Sequence, residues 1–214
     1  MKQYHKIKTV FKRDPSTNHK TLLVGEYSIP EFEYLKDNEW VFTEKVDGTN
    51  IRIMWDGERV TFGGKSDNSQ IQTTLYDTLA NMFQDDVSYK LFTEKFGTDG
   101  KVCLYGEGYG AKIQKGGGNY CQDQSLVLFD VKIGDWWLNR EDVEDIARYL
   151  NVSIVPIIGQ GTLSDMVEIT RNGFTSKWGN FQAEGIVARP KTELVTRSGS
   201  RVITKIKGRD FLHA

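Results

Sequence analysis

Apolar positions recur along this chain with two periods, and the two periods separate helices from strands. Between residues 71 and 83, Ile71, Leu75, Leu79, Met82 and Phe83 fall on one face at helical spacing. A second helix is predicted from Asn139, a good N-cap with acidic residues in the first turn, and carries Val143, Ile146, Ala147 and Leu150 on one stripe. A shorter helix is predicted after Ser164, ending near Gly173. The strand-like runs are WVFTEKV from Trp40, NIRIMWDGERVTF from Asn50, KVCLYGEG from Lys101, SLVLFDVKIGDWWL from Ser125, AEGIVARP from Ala183 and RVITKIKG from Arg201. Asp56-Gly57 and Gly134-Asp135 read as hairpin turns. Because the helices interrupt the strands irregularly, the pattern predicts an α+β fold of antiparallel β-sheets with flanking helices rather than a doubly wound parallel sheet. With no repeat, low-complexity tract or Pro/Gly/Ser linker, residues 1–214 read as one domain.

Composition narrows the class. A chain of 214 residues has room for one large core. A mean hydropathy of −0.48 and the lack of any apolar run near eighteen residues argue against a membrane span. The start MKQYHKIKTVFKRD lacks the apolar stretch of a secretory signal, so a cytoplasmic location is expected. Two cysteines, Cys103 and Cys121, supply neither a disulfide framework nor a metal-ligand spacing. A formal charge of −1 excludes a uniformly basic coat for nucleic acid. The sign is uneven, however: from Arg189 onward seven basic residues face two acidic ones, Glu193 and Asp210, which predicts a local cationic surface.

The candidate chemistry begins at EKVDGTN, Glu44 to Asn50, lying between two strand-like runs. Alone, Asp47-Gly48 is a hairpin turn, and a bare K-x-D-G occurs by composition in about one chain in twenty of this length. Four further segments follow in order: LYGEGYG with Glu107, LVLFDV with Phe129 and Asp130, AEGIVARP with Glu184, and ITKIKG with Lys205 and Lys207. Together they resemble the motif series of the covalent nucleotidyltransferases, the superfamily of polynucleotide ligases and mRNA capping enzymes. The G-T-N variant, with G-E-G-Y-G-A-K-I-Q-K and V-L-F-D-V, is most similar to the phage-type RNA ligase 2 family of ATP-dependent RNA ligases. The resemblance runs from about Trp40 to Lys207.

What the resemblance implies is a ligase adenylation fold in which Lys45 attacks ATP, with Lys205 and Lys207 on the phosphate. Glu44, Val46, Gly48, Asn50, Lys65, Glu107, Phe129 and Glu184 would line the nucleotide site, Phe129 by stacking on the base. Asp47, Glu107 and Glu184 would serve Mg2+ or Mn2+. Lys65, in GGKSDN, stands where related ligases commonly carry arginine, and an ammonium lacks the guanidinium fork. The implied substrate is RNA or RNA-containing duplex ends. Related full ligases commonly carry a further C-terminal domain, whereas seven residues follow Lys207, so the expectation is either a minimal ligase or one completed by a partner protein. The competing readings are a DNA ligase, a capping nucleotidyltransferase, or a silent end-binding protein of the same fold.

Elementary chemistry agrees with those roles. A lysine nucleophile must lose a proton held with a pKa of about 10.4, which nearby cations and a bound metal favour. Lys205 and Lys207 alternate with Thr204 and Ile206, so both ammonium groups leave one strand face while Val202, Thr204 and Ile206 enter a core. A hard cation prefers oxygen ligands such as the three carboxylates. Arg52 and Arg189 are candidates for the nucleic-acid side. Trp55, Trp136, Trp137 and Trp178 read as packing or surface residues, and His5, His19 and His213 show no triad or metal spacing. The first forty residues carry no assignable motif, and their Lys6, Lys8, Lys12, Arg13 and Lys20 read as a solvated face.

Overall fold

In the computed structural model, residues 3–211 are described; His213 lies outside them. The described residues group into two compact units, one of residues 3–5 and 47–155, the other of residues 6–46 and 156–211. The chain is α+β and its sheets are mainly antiparallel, as the pattern predicts, with two short parallel pairings, Lys8–Thr9 on Thr204–Lys207 and Ser153–Ile154 on Gln124–Ile133.

The first unit is built on a twisted sheet in the order Ser153–Ile154, Gln124–Ile133, Val102–Gly110, Thr49–Trp55, Val60–Gly63, with Trp136–Trp137 paired to the Gln124–Ile133 strand. Its inward side chains, among them Ile51, Ile53, Trp55, Leu104 and Leu128, pack against three helices. Helix Thr73–Phe83 buries Leu75, Leu79 and Phe83 of the predicted stripe, while Met82 is partly buried and Ile71 packs on the core from just before the helix. Helix Arg140–Tyr149 starts where predicted, the Asn139 side chain accepting from Asp142 N at 3.0 Å. Helix Asp86–Phe96 has no counterpart in the sequence reading; its buried residues are Ser88 and Phe92, too few to draw a stripe, and Asp85 caps it. Cys103 is buried in this sheet, and desolvation pushes its thiol up to about 11, so it is inert at neutral pH.

The second unit carries a five-stranded sheet in the order Lys8–Thr9, Thr204–Lys207, Gly185–Pro190, Trp40–Lys45, Ile157–Gly161. Helix Leu163–Asn172 covers one face with Leu163, Met166 and Val167, which join Trp40, Phe42, Ile186 and Ile206 in the core. Its N-cap is Thr162, in a reciprocal capping box with Asp165, two residues before the expected Ser164. The N-terminal residues are structural as well as solvated: Val10 N donates to Lys205 O at 3.1 Å, and the hairpin of Phe11–Arg13 and Leu22–Tyr27 brings Arg13 to Asp210 at 2.8 Å. Asp210 in turn accepts from Lys207 N at 3.0 Å, so this segment braces the strand of Lys205 and Lys207.

Three strands of this sheet meet in one row. Gly185 is the register partner of Lys45 on one side and of Lys207 on the other. A Cβ on Gly185 would lie 2.1 Å from the carbonyl oxygen of Ile206, so only glycine lets the strands close at this point. Gly185→Ala is therefore expected to destabilise the protein by at least ~2 kcal/mol, through overpacking against fixed backbone. Urea unfolding followed by far-UV circular dichroism measures this, and a wild-type midpoint would show that the row has slack.

Candidate active site

The strand Trp40–Lys45 alternates strictly: Trp40, Phe42 and Glu44 are buried, while Val41, Thr43 and Lys45 are partly exposed. On the more open face, Lys45 Nζ lies 2.5 Å from Glu184 Oε2 and 3.3 Å from its neighbour's carbonyl, Val46 O. Lys207 Nζ lies 2.6 Å from the other oxygen, Glu184 Oε1. That second contact is an ion pair without hydrogen-bond direction, since Oε1 has no hydrogen-bond partner. One carboxylate is thus shared by two ammonium groups, with side chains 18%, 10% and 16% exposed for Lys45, Glu184 and Lys207. At such burial the opposite charges attract strongly but have lost much hydration, so the cluster owes its position to close geometry more than to net energy. Lys205 leaves the same face as Lys207, two residues earlier, while Thr204 and Ile206, which alternate with them, are fully buried.

Glu44 and Val46, the flanks of Lys45, are core residues at 1% and 3% exposure. The Glu44 carboxylate accepts from Ser176 Oγ at 2.6 Å and Lys177 N at 2.8 Å, so its side chain is committed to the protein interior.

The remaining candidates belong to the first unit. Asn50 stands directly opposite Glu107 across the sheet and donates Nδ2 to Glu107 Oε2 at 2.8 Å. The turn after Lys45 is held by the loop that follows the Glu107 strand: Asp47 N donates to Tyr120 Oη at 3.2 Å and Gln114 Nε2 to Gly48 O at 3.0 Å. Gly48 approaches so closely that a Cβ would lie 2.2 Å from Gly108 O. Phe129 is the extra residue of a β-bulge, for Tyr105 pairs with Asp130 but Gly106 with Leu128. A bulge re-aims the side chain that it carries. Phe129 is half-buried, with the Tyr4 ring edge-on at 5.0 Å, and Tyr4 Oη donates to the fully buried Asp130 at 2.8 Å.

Lys65 is exposed on the loop after Val60–Gly63. That loop is pinned by Arg52, whose Nε donates to Gly64 O at 2.9 Å and whose Nη2 pairs with Asp67 at 2.8 Å. At 3% exposure Arg52 is a structural cation, which corrects its assignment to the nucleic-acid side. Arg189 pairs with Glu193, as does the buried Arg201, so the C-terminal basic cluster is partly neutralised. Of the three carboxylates expected to serve a metal, Asp47 and Glu107 lie in the first unit and Glu184 in the second. Among the described residues no group of three or more His, Cys, Asp or Glu side chains is gathered into a metal cage. Their chemistry still suits a hard cation, which commonly keeps its waters and takes one or two carboxylates. Sequence reasoning missed Tyr120, Gln114, Ser176 and Asp210, all of which hold backbone or charge around the named positions; none carries a pattern of its own.

The family model for RNA ligase matches residues 38–207. Solved structures of a Naegleria gruberi RNA ligase share the fold. The form with PPi has 17% sequence identity and a TM-score of 0.69, covering 100% of this chain and 57% of that one. A variant with ATP and Mn has 18% identity and a TM-score of 0.65, covering 86% and 53%. Another variant, with AMP and Mn, has 16% identity and a TM-score of 0.69, covering 100% and 57%. The chain thus spans a little over half the length of the solved proteins it matches. With a family model covering most of its residues and a nucleotidyltransferase-type fold throughout, this chain belongs to the RNA ligase family.

Proposed function

We propose that this chain is the adenylation domain of an ATP-dependent RNA ligase of the phage RNA ligase 2 type, working in the cytoplasm as a minimal ligase or with a partner protein that engages RNA. The observation that supports this most is the shared ion cluster: Lys45, Glu184 and Lys207 come from three positions far apart in sequence and meet on one sheet face. A binding protein has no need of a lysine held this way beside a second cation.

In the first step Lys45 Nζ attacks the α-phosphorus of ATP. A P–N bond forms, the bond to the β-phosphate oxygen breaks, and pyrophosphate departs. The amine reacts only after losing its proton, and covalent catalysis splits one difficult displacement into easier ones. Lys205 and Lys207 would neutralise charge developing on the phosphate, the main task in phosphoryl transfer. A divalent cation, when bound, would add further charge neutralisation, and Asp47, Glu107 and Glu184 are the carboxylates whose oxygens would serve it. Glu44 and Val46 through their backbone, with Gly48, Asn50, Glu107 and Lys65, would hold the nucleotide, and Phe129 would stack on its base, a contact of about 1–3 kcal/mol. The AMP then passes to a 5′-phosphate end, and a 3′-hydroxyl attacks the activated end as AMP leaves. That the related Naegleria gruberi ligase is solved with ATP and Mn and with PPi suits a first step of this kind.

Incubated with ATP and Mg2+ or Mn2+, the protein is expected to gain the mass of one AMP on Lys45. Lys45→Arg, which keeps the charge but cannot lose its proton at usable pH, should form none. An adduct mapping to another lysine by peptide mass would refute the assignment of the nucleophile.

The RNA preference is tested separately. With few phosphate contacts available, discrimination is expected at the reacting ends, where the 2′-hydroxyl acts as donor and acceptor. In nicked duplexes with ribonucleotides moved one position at a time, sealing should require ribose at the last nucleotides of the 3′-hydroxyl strand and tolerate DNA on the 5′-phosphate side. Equal sealing of all-DNA and all-RNA nicks would make the enzyme a general or DNA ligase.

A further inference from the structure

Glu44 is a buried carboxylate to which the reaction above gives no side-chain task. It sits one residue before Lys45 on the same strand, so the two side chains leave opposite faces. Buried charge needs donors. Glu44 has two, Ser176 Oγ at 2.6 Å and Lys177 N at 2.8 Å, and Ser176 Oγ itself accepts from Trp178 N at 3.1 Å. One carboxylate therefore orders three consecutive residues. They lie on a hairpin closed by Ser176 N to Phe181 O at 2.8 Å, by the bridge of Thr175 with Gln182, and by Ala183 N to Phe174 O at 3.0 Å. The returning arm runs directly into Glu184, whose carbonyl accepts from Gly208 N at 2.9 Å and whose carboxylate meets Lys45 and Lys207.

Neighbouring residues of one strand thus grip both ends of the segment from Ser176 to Glu184. Lys45 holds the Glu184 end on the open face, and Glu44 holds the Ser176 end from within the core. We propose that Glu44 is a positioning residue, whose carboxylate fixes this hairpin and through it the placement of Glu184 against Lys45, and that it makes no side-chain contact with the nucleotide. The proposal rests on the ligase reading for its catalytic consequence but not for its structural one.

The test uses Glu44→Gln, Ser176→Ala and the double variant, each confirmed as folded by its near-UV circular dichroism. Glu44→Gln removes the charge and replaces one acceptor oxygen with a donor, so either the Ser176 hydroxyl must turn from donor to acceptor or the Lys177 amide loses its partner. Each single variant should slow lysyl-AMP formation at saturating ATP about tenfold or more, with half-saturating ATP changed less than about twofold. The double variant should be no slower than the slower single, because both changes break one unit. In nucleotide-free protein, hydrogen exchange should quicken in Glu44→Gln at the Lys177 amide and also at the Gly208 amide, which reports on Glu184. A raised half-saturating ATP at an unchanged saturated rate would make Glu44 a nucleotide contact and overturn the proposal. Unchanged Gly208 exchange would overturn it too, and that readout needs no turnover, so it separates this proposal from a failure of the ligase reading.

Discussion

Two ammonium groups cannot stand close together at low exposure without a shared counter-ion, and here Glu184 is that counter-ion. Much of the second unit answers to this requirement. The carboxylate must reach both Lys45 and Lys207, so their strands must flank the strand Gly185–Pro190 that follows it, at the spacing of about 4.8 Å that backbone pairing sets. Gly185 supplies the missing Cβ that lets them close. Beyond them the N-terminal strand and the Arg13–Asp210 pair brace the outer lysine strand, and helix Leu163–Asn172 seals the opposite face with apolar side chains. The charged cluster is affordable only because the scaffold beneath it is fixed by packing.

The same logic explains why the residues around the cluster are more polar than a core ordinarily is. Glu44, Thr204 and Asp210 are all buried, and each has a hydrogen-bond partner within the unit. They convert loops into rigid supports. In the first unit Tyr120 and Gln114 do this for the Asp47–Gly48 turn, and Arg52 does it for the loop that carries Lys65.

How far the sequence discloses this depends on whether a residue's task is periodic or local. Strands with clean alternation, such as WVFTEKV and ITKIKG, and the helix stripes at residues 71–83 and 139–150 were legible because burial follows one face. Helix Asp86–Phe96 was not, since its buried face is narrow and partly a serine, and neither was the short strand Lys8–Thr9, whose sheet partner is nearly two hundred residues away. For the candidate site, an ordered motif series picked out Lys45, Glu184 and Lys207, which the fold brings together. Alternation could have shown that Glu44 points inward. It could not have shown the bulge at Phe129, which is a property of two strands paired out of step, or the burial of Arg52, which depends on a loop twelve residues on.

The claim on which this account turns is that a single carboxylate holds both lysines. Nuclear magnetic resonance of the side-chain 15Nζ groups tests it directly, because ion-paired ammonium groups exchange slowly enough to be seen while solvated ones do not. The account predicts that Lys45 and Lys207 both give such signals in the nucleotide-free protein and that Glu184→Gln abolishes or shifts the two together. A Glu184→Gln spectrum in which either lysine keeps its signal unmoved would contradict it.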